Sequence, residues 1–212
     1  MRSARLALCA VVALLAALCA ALVAHIVFTT SPDNGSHAPM MRVDSFPRIS
    51  QNIAMLQKPF SLSSSVFAPH GLIPLRYTCD GDETSPPLAI EGTPSETKTL
   101  ALVMEDPDVP KALKPDGLFV HWVLFNMPPG VTELPPGTTI GIEGLTSAGK
   151  TGYVGPCPPS TYEPRQHRYM FTLYALDTAL ELEAGTTKEE LLRAMEGHVI
   201  AETRLTGIYE RP

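Results

Sequence analysis

Residues 153–177 limit the folds open to this chain more than any other stretch. Gly155-Pro156-Cys157-Pro158-Pro159 is crowded with proline, so it can be neither helix nor central strand: each proline lacks a backbone N–H and has its φ fixed. His167-Arg168-Tyr169 then opens an apolar run that ends at Leu176 and reads as a buried strand. A stiff rim therefore meets a sheet. Two further segments share this form. Residues 101–104 run into Glu105-Asp106-Pro107-Asp108, and residues 118–125 carry His121-Trp122 inside an apolar run. Polar side chains at strand ends, beside rigid loops, are a common way to hold a pocket open. We read Asp106, His121 and His167 as converging on one site.

Strands separated by loops predict a mainly β, antiparallel architecture. Residues 60–67 and 73–77 read as two short strands, stopped by Pro69, Gly71 and a turn-rich loop from Cys79 to Pro87. Residues 88–90 precede a turn at Gly92-Thr93-Pro94, residues 99–105, 118–127 and 167–176 read as further strands, and residues 198–209 as a final one. Along a regular strand successive side chains alternate, which puts His121 and Trp122 on opposite faces with only one of them in the pocket. The same alternation groups His167, Tyr169, Phe171 and Leu173 on one face. Residues 131–152 read as mostly loop. The one soluble helix follows Thr187-Lys188-Glu189-Glu190, a capping-box pattern, and stops at Gly197.

The N-terminus is of another kind. Arg2 and Arg5 precede an apolar run over residues 6–28, as in a secretory signal or a single membrane anchor, so residues 1–28 predict export with cleavage or anchoring both open. Residues 29–58 show no sustained period and read as a flexible linker, which leaves one ordinary domain over residues 59–212. The protein is expected either membrane-anchored or periplasmic or extracellular, touching membrane only through that first segment. The chain carries a net charge of −6, and from Phe60 onward it is more acidic still. An acidic body without a basic stripe excludes nucleic acid as a partner. Cys79 and Cys157 are the cysteines of the body; in an exported domain they form either a disulfide or two buried thiols.

Taken together these segments resemble the phosphatidylethanolamine-binding protein family, in the bacterial and archaeal branch described as Raf-kinase-inhibitor-like. The resemblance is carried by Tyr77-Thr78-Cys79-Asp80-Gly81 with Ser85-Pro86-Pro87-Leu88, by Asp106-Pro107-Asp108 with Pro110, by His121-Trp122-Val123-Leu124, and by Gly155-Pro156-Cys157-Pro158-Pro159 with His167-Arg168-Tyr169. Gly197-His198 and Tyr209 also fit, and the match spans about residues 60–209. It implies a large antiparallel sheet packed with a smaller sheet and a few short helices, and a small cavity for an anion such as phosphate or a phospholipid head group. Carried over by position, Asp106, His121, Gly155, Pro156, Cys157, Pro158, His167 and Tyr169 line that cavity. Relatives that inhibit kinases or proteases make either a possible protein partner. Residues 160–166 depart from the glycine-bearing turn usual in the family; Arg165 within them is read as facing solvent.

Chemically, backbone N–H groups of the Gly-Pro turn and the two imidazoles would donate to the anion. Asp106 would repel a fully ionised phosphate, so it is expected to meet an imidazole or an amine, or one partner carries a proton. The chain is read as a binding module and not an enzyme. The alternative is a hydrolase with Cys157 as nucleophile, His121 as base and Asp106 as orienter. Against it, Cys157 sits between prolines with no helix start behind it, and a bridge to Cys79 would silence it. No cofactor motif is present. Asp106, Asp108, His121 and His167 lack the short ligand spacing that marks a metal site.

Overall fold

A computed structural model of the chain describes residues 58–212. The chain divides into two units, Met1–Pro47 and Arg48–Pro212, and the described residues all belong to the second. The segment 1–28 and the linker as far as residue 57 lie outside the described residues, so the expectations of export and tethering do too. Among the described residues no helix is long and apolar enough to cross a membrane.

Among the described residues eight strands form two antiparallel sheets. Strands β1 (Ser61–Ser63), β2 (Leu88–Glu91) and β5 (Glu133–Leu134) make a small sheet in the order β1-β2-β5. The large sheet has the order β6-β4-β3-β7-β8, with β3 Thr99–Asp106, β4 Phe119–Met127, β6 Ile142–Glu143, β7 Gln166–Leu176 and β8 Val199–Glu210. The helix α1, Lys188–Met195, starts at the expected capping box: the Thr187 hydroxyl accepts from the Glu190 N–H while the Glu190 carboxylate accepts from the Thr187 N–H.

The large sheet is apolar on both faces because something covers each. On one side Leu100, Leu102 and Met104 of β3 and Tyr169, Phe171 and Leu173 of β7 pack with Leu62, Leu88, Ile90 and Leu134 of the small sheet. On the other, Ala101 and Val103 of β3 with Val123 and Phe125 of β4 meet Leu191 and Met195 of α1. That explains the unbroken apolar runs in β3 and β4, which alternation alone does not produce. The mainly β architecture of a large sheet, a smaller sheet and short helix stands as the sequence implied.

Several local readings change. Residues 73–77 are not a strand: Leu75–Tyr77 is a single 3-10 turn, after an isolated bridge from Leu72 to Ile208. The chain lies there close over β8, where a Cβ on Gly207 would come within 2.6 Å of Ile73. The first strand shrinks to three residues, and the supposed loop 131–152 contains the two short strands β5 and β6. Two-residue strands carry no period for a sequence to reveal.

Cys79 and Cys157 form a disulfide with Cα atoms 5.5 Å apart, which settles the open pairing. Closing a loop with a sequence separation of 78 stabilises by about 4 kcal/mol in the chain-entropy account. Intact-mass measurement after alkylation in denaturant is expected to find Cys79 and Cys157 unmodified until a reductant is added, and the Cys79→Ser/Cys157→Ser double variant to unfold at lower denaturant. Free alkylation of both thiols in the unreduced, oxidatively purified protein would contradict the bridge.

Candidate functional site

Asp106 ends β3, and the next residue is a proline with no N–H to continue the ladder. The chain turns there, and Asp106 Oδ1 accepts from the Asp108 N–H at 2.8 Å. Asp108 reaches β7 in turn, where its carboxylate takes the Arg168 guanidinium through two bonds of 2.8 and 2.7 Å and also the Arg168 N–H at 2.9 Å. This clamp holds the head of β7 against the end of β3. His167 and Asp106 are thereby brought face to face, His167 Nδ1 lying 2.6 Å from Asp106 Oδ2, with both side chains buried.

His121 reaches the same place by a distortion. Met104 of β3 opposes Trp122 while Glu105 opposes Val120, so His121 is an extra residue in β4, a β-bulge. Val120 and Val123 pack on the helix side of the sheet, whereas Trp122 packs on the other and His121 makes an edge contact with Tyr169 on that same side, with centroids 5.2 Å apart. The expected opposition of His121 and Trp122 therefore fails: the bulge turns both toward one face. Only His121 lines the main cavity, as foreseen, but for a different reason.

That cavity has a volume of about 400 Å³. Asp106, His121, His167, Gly155, Cys157 and Pro158 lie on its wall, six of the eight residues expected there. Pro156 does not. It is buried and its carbonyl accepts from the Cys79 N–H at 3.1 Å, which binds one loop to the other. Tyr169 does not either, being fully buried beside His121. Arg165 is exposed and bonds to Ser160 and Glu163, outside the cavity. Val109, Leu113 and Lys114 of the loop between β3 and β4, with Phe119, also line the cavity and were not expected there. Their proximity to Asp106 along the chain was the available signal.

The donors are fewer than a Gly-Pro turn suggested. Prolines supply none, and the Gly155 N–H is taken by Glu83 Oε1 at 3.2 Å. Gly155 itself is required, since a Cβ there would lie 2.9 Å from the Thr78 carbonyl carbon. The polar chemistry rests on the two imidazoles, and these differ. His121 Nδ1 donates to the Val154 carbonyl at 2.8 Å, while the Val154 N–H donates back to the His121 carbonyl. Burial depresses the His121 pKa and keeps the ring neutral, which leaves Nε2 as an acceptor. Burial also opposes charge on His167, but the hydrogen bond to Asp106 and the negative charge it carries outweigh it and raise the His167 pKa. The Pro164 carbonyl also favours the charged ring; when the ring is protonated its Nε2, buried and with no well-aligned hydrogen-bond partner among the described residues, is a charged donor. One ring offers a lone pair and the other a proton.

Cys157 shares the wall, but its sulfur is bonded to Cys79 and is no thiolate. Among the described residues no three His, Cys, Asp or Glu side chains group to hold a metal ion.

The comparisons with known proteins agree with this fold. The family model described as phosphatidylethanolamine-binding protein matches residues 63–210. A UPF0098 protein of Methanothermobacter thermautotrophicus is 47% identical over 161 residues, covering 71% of this chain and 99% of that protein. A UPF0098 protein of Chlamydia muridarum is 47% identical over 151 residues, covering 71% and 98%. The crystal structure of a proposed phosphatidylethanolamine-binding protein homolog from Chlamydia trachomatis superposes with a TM-score of 0.69 at 45% identity, over 72% of this chain and 98% of that one. That of Escherichia coli YbcL, described as a new member of the mammalian PEBP family, gives a TM-score of 0.65 at 27% identity, over 73% and 100%.

The imidazole pair is directly measurable. By NMR, His167 is expected to titrate above 6.5 and His121 below it, and Asp106→Asn to bring the His167 value down. Because the folded His167 pKa exceeds its unfolded one, its contribution to stability is full below about pH 6.5 and fades as pH rises through the folded value. The stability gap between the protein and Asp106→Asn should accordingly narrow with rising pH. An unchanged His167 titration in the variant would contradict the pairing.

Proposed function

Given that the chain belongs to the phosphatidylethanolamine-binding protein family, we propose that it is an exported binding and regulatory module whose cavity takes a small, singly protonated anion, a phosphate monoester or a phospholipid head group. The observation that carries this reading is the unlike pair of ring nitrogens. An oxyanion is met by the charged N–H of His167, and the acid O–H or ammonium N–H of the same ligand by the lone pair of His121. The Asp106 charge is matched by His167 and its other oxygen by the Asp108 N–H, so little of its repulsion reaches the ligand. Lys114, paired with Asp116, also lines the wall.

The domain acts by binding and not by catalysis, which the bonded state of Cys157 supports. Export rests on the apolar run behind Arg2 and Arg5, with anchoring or cleavage as its two forms. A kinase or protease outside the cytoplasm would offer an acidic or phosphorylated side chain to the same cavity. The half-exposed Leu113 on the cavity wall favours such a protein contact.

Calorimetry with inorganic phosphate, and separately with vesicles containing phosphatidylethanolamine, tests the ligand and its source. Phosphate affinity is expected to fall as pH rises through the range where His167 and the second phosphate proton titrate, by up to about tenfold per pH unit. His167→Ala and His121→Ala should each weaken binding roughly tenfold. Unchanged affinity from mildly acidic to alkaline pH would contradict the proposal, and turnover of generic aryl esters abolished in His121→Ala would replace it with the hydrolase reading.

A further inference from the structure

A second hollow of about 340 Å³ adjoins the first, and its charged lining is acidic throughout, whereas the first mixes Asp106 with His167 and Lys114. Neighbouring residues divide between the two. His121 and Val154 line the first, Trp122 and Tyr153 the second, and Glu83, on the second, accepts the N–H of Gly155, which lines the first. Asp82, Glu83 and Glu143 contribute to the second hollow, and no Lys, Arg or His lines it. Asp82 is matched by Arg76 at 3.0 Å, an exposed pair. Glu143, half-buried, has no ion-pair partner among the described residues.

A group of carboxylates alone defines no site, but Trp122 adds an independent requirement. Its side chain is 1% exposed, it lines this hollow, and its indole N–H is buried without a partner among the described residues. A buried donor left unsatisfied costs on the order of 1–3 kcal/mol, so the position calls for an acceptor atom. Tyr153 cannot serve as that acceptor's rival donor, since its hydroxyl donates to the Tyr77 carbonyl at 2.7 Å and its ring meets Trp122 edge-on. The hollow thus asks for positive charge at one side and an oxygen at the other. A bare divalent ion meets neither demand well: the described carboxylates do not group as metal ligands, and a metal accepts nothing from an N–H.

We propose that this hollow is a second ligand site, for a small protonated amine that also bears a hydroxyl or carbonyl oxygen, the ammonium meeting Glu143 and Glu83 and the oxygen accepting from Trp122. Threonine hydroxyls of Thr84 and Thr139 complete a polar lining suited to an amino alcohol or the amine end of an amino sugar. The site is distinct from the anion cavity and can be tested without knowing what that cavity holds.

The chain contains one tryptophan, so its emission reports on this hollow directly. Titrating the full chain with 2-amino-1,3-propanediol is expected to give a saturable change in tryptophan emission, and glycerol, the same size but uncharged, to give none. Glu143→Gln, nearly isosteric, should weaken the response about tenfold. In the unmutated protein, raising the pH until the amine loses its proton should abolish it, a readout that needs no variant to fold. A response equal for glycerol, one unaffected by Glu143→Gln, or no saturable response at all would overturn the proposal and leave the indole N–H to solvent.

Discussion

A carboxylate and an imidazole buried within 2.6 Å of each other impose a condition on everything around them. Ionised groups taken out of water are costly unless their remaining hydrogen-bonding positions are matched. Asp106 meets this by giving its second oxygen to the Asp108 N–H, and Asp108 by gripping Arg168 next to His167. The turn after β3 and the head of β7 are therefore fixed by the same few contacts that hold the pair together. What stays unmatched is one nitrogen, His167 Nε2, and a buried donor without a partner is where a ligand gains most from arriving.

The rim from Gly155 to Pro159 is made rigid by other means. Its prolines supply no N–H, so it is tied through the Cys79–Cys157 bridge, the Pro156 carbonyl on Cys79 and the Glu83 carboxylate on Gly155. The Cys79 loop is itself held to the end of β8, where Asp80 accepts from the Tyr209 hydroxyl at 2.8 Å and pairs with Arg211. Glu83 takes up a left-handed backbone, φ 53°, to make its contact. A non-glycine residue held there stores strain, and strain tends to persist where the surrounding structure needs the side chain in one place.

Much of this could be read from residue order. Long apolar runs announced β3, β4 and β7, a capping box announced α1, and polar residues at run ends announced Asp106 and His167. The misreadings have physical causes. Proline and glycine in the rim suggested a nest of N–H donors, but spacing along a chain does not show that a glutamate many residues away takes the glycine's N–H. Tyr169 was assigned to the cavity from the resemblance, yet it shares a face with His167 in the part of the strand that the small sheet covers. The bulge at His121 is the deepest case: it follows from how β4 registers against β3, and a single strand holds no trace of its partner's register.

That bulge also gives the two hollows their relation. In a regular strand adjacent side chains leave by opposite faces; here His121 and Trp122 leave by the same one and stand on either side of a thin wall. One hollow is lined by Asp106 with its partner His167 and by Lys114, the other by carboxylates alone among its charged side chains, so the second favours a cation more than the first does. Ligands held in both would attract across a low-dielectric wall, and any gain one gives the other must be returned in equal measure. Glu83 is the residue through which such coupling would pass, because its carboxylate faces the amine hollow while its bond to Gly155 positions the rim of the anion cavity.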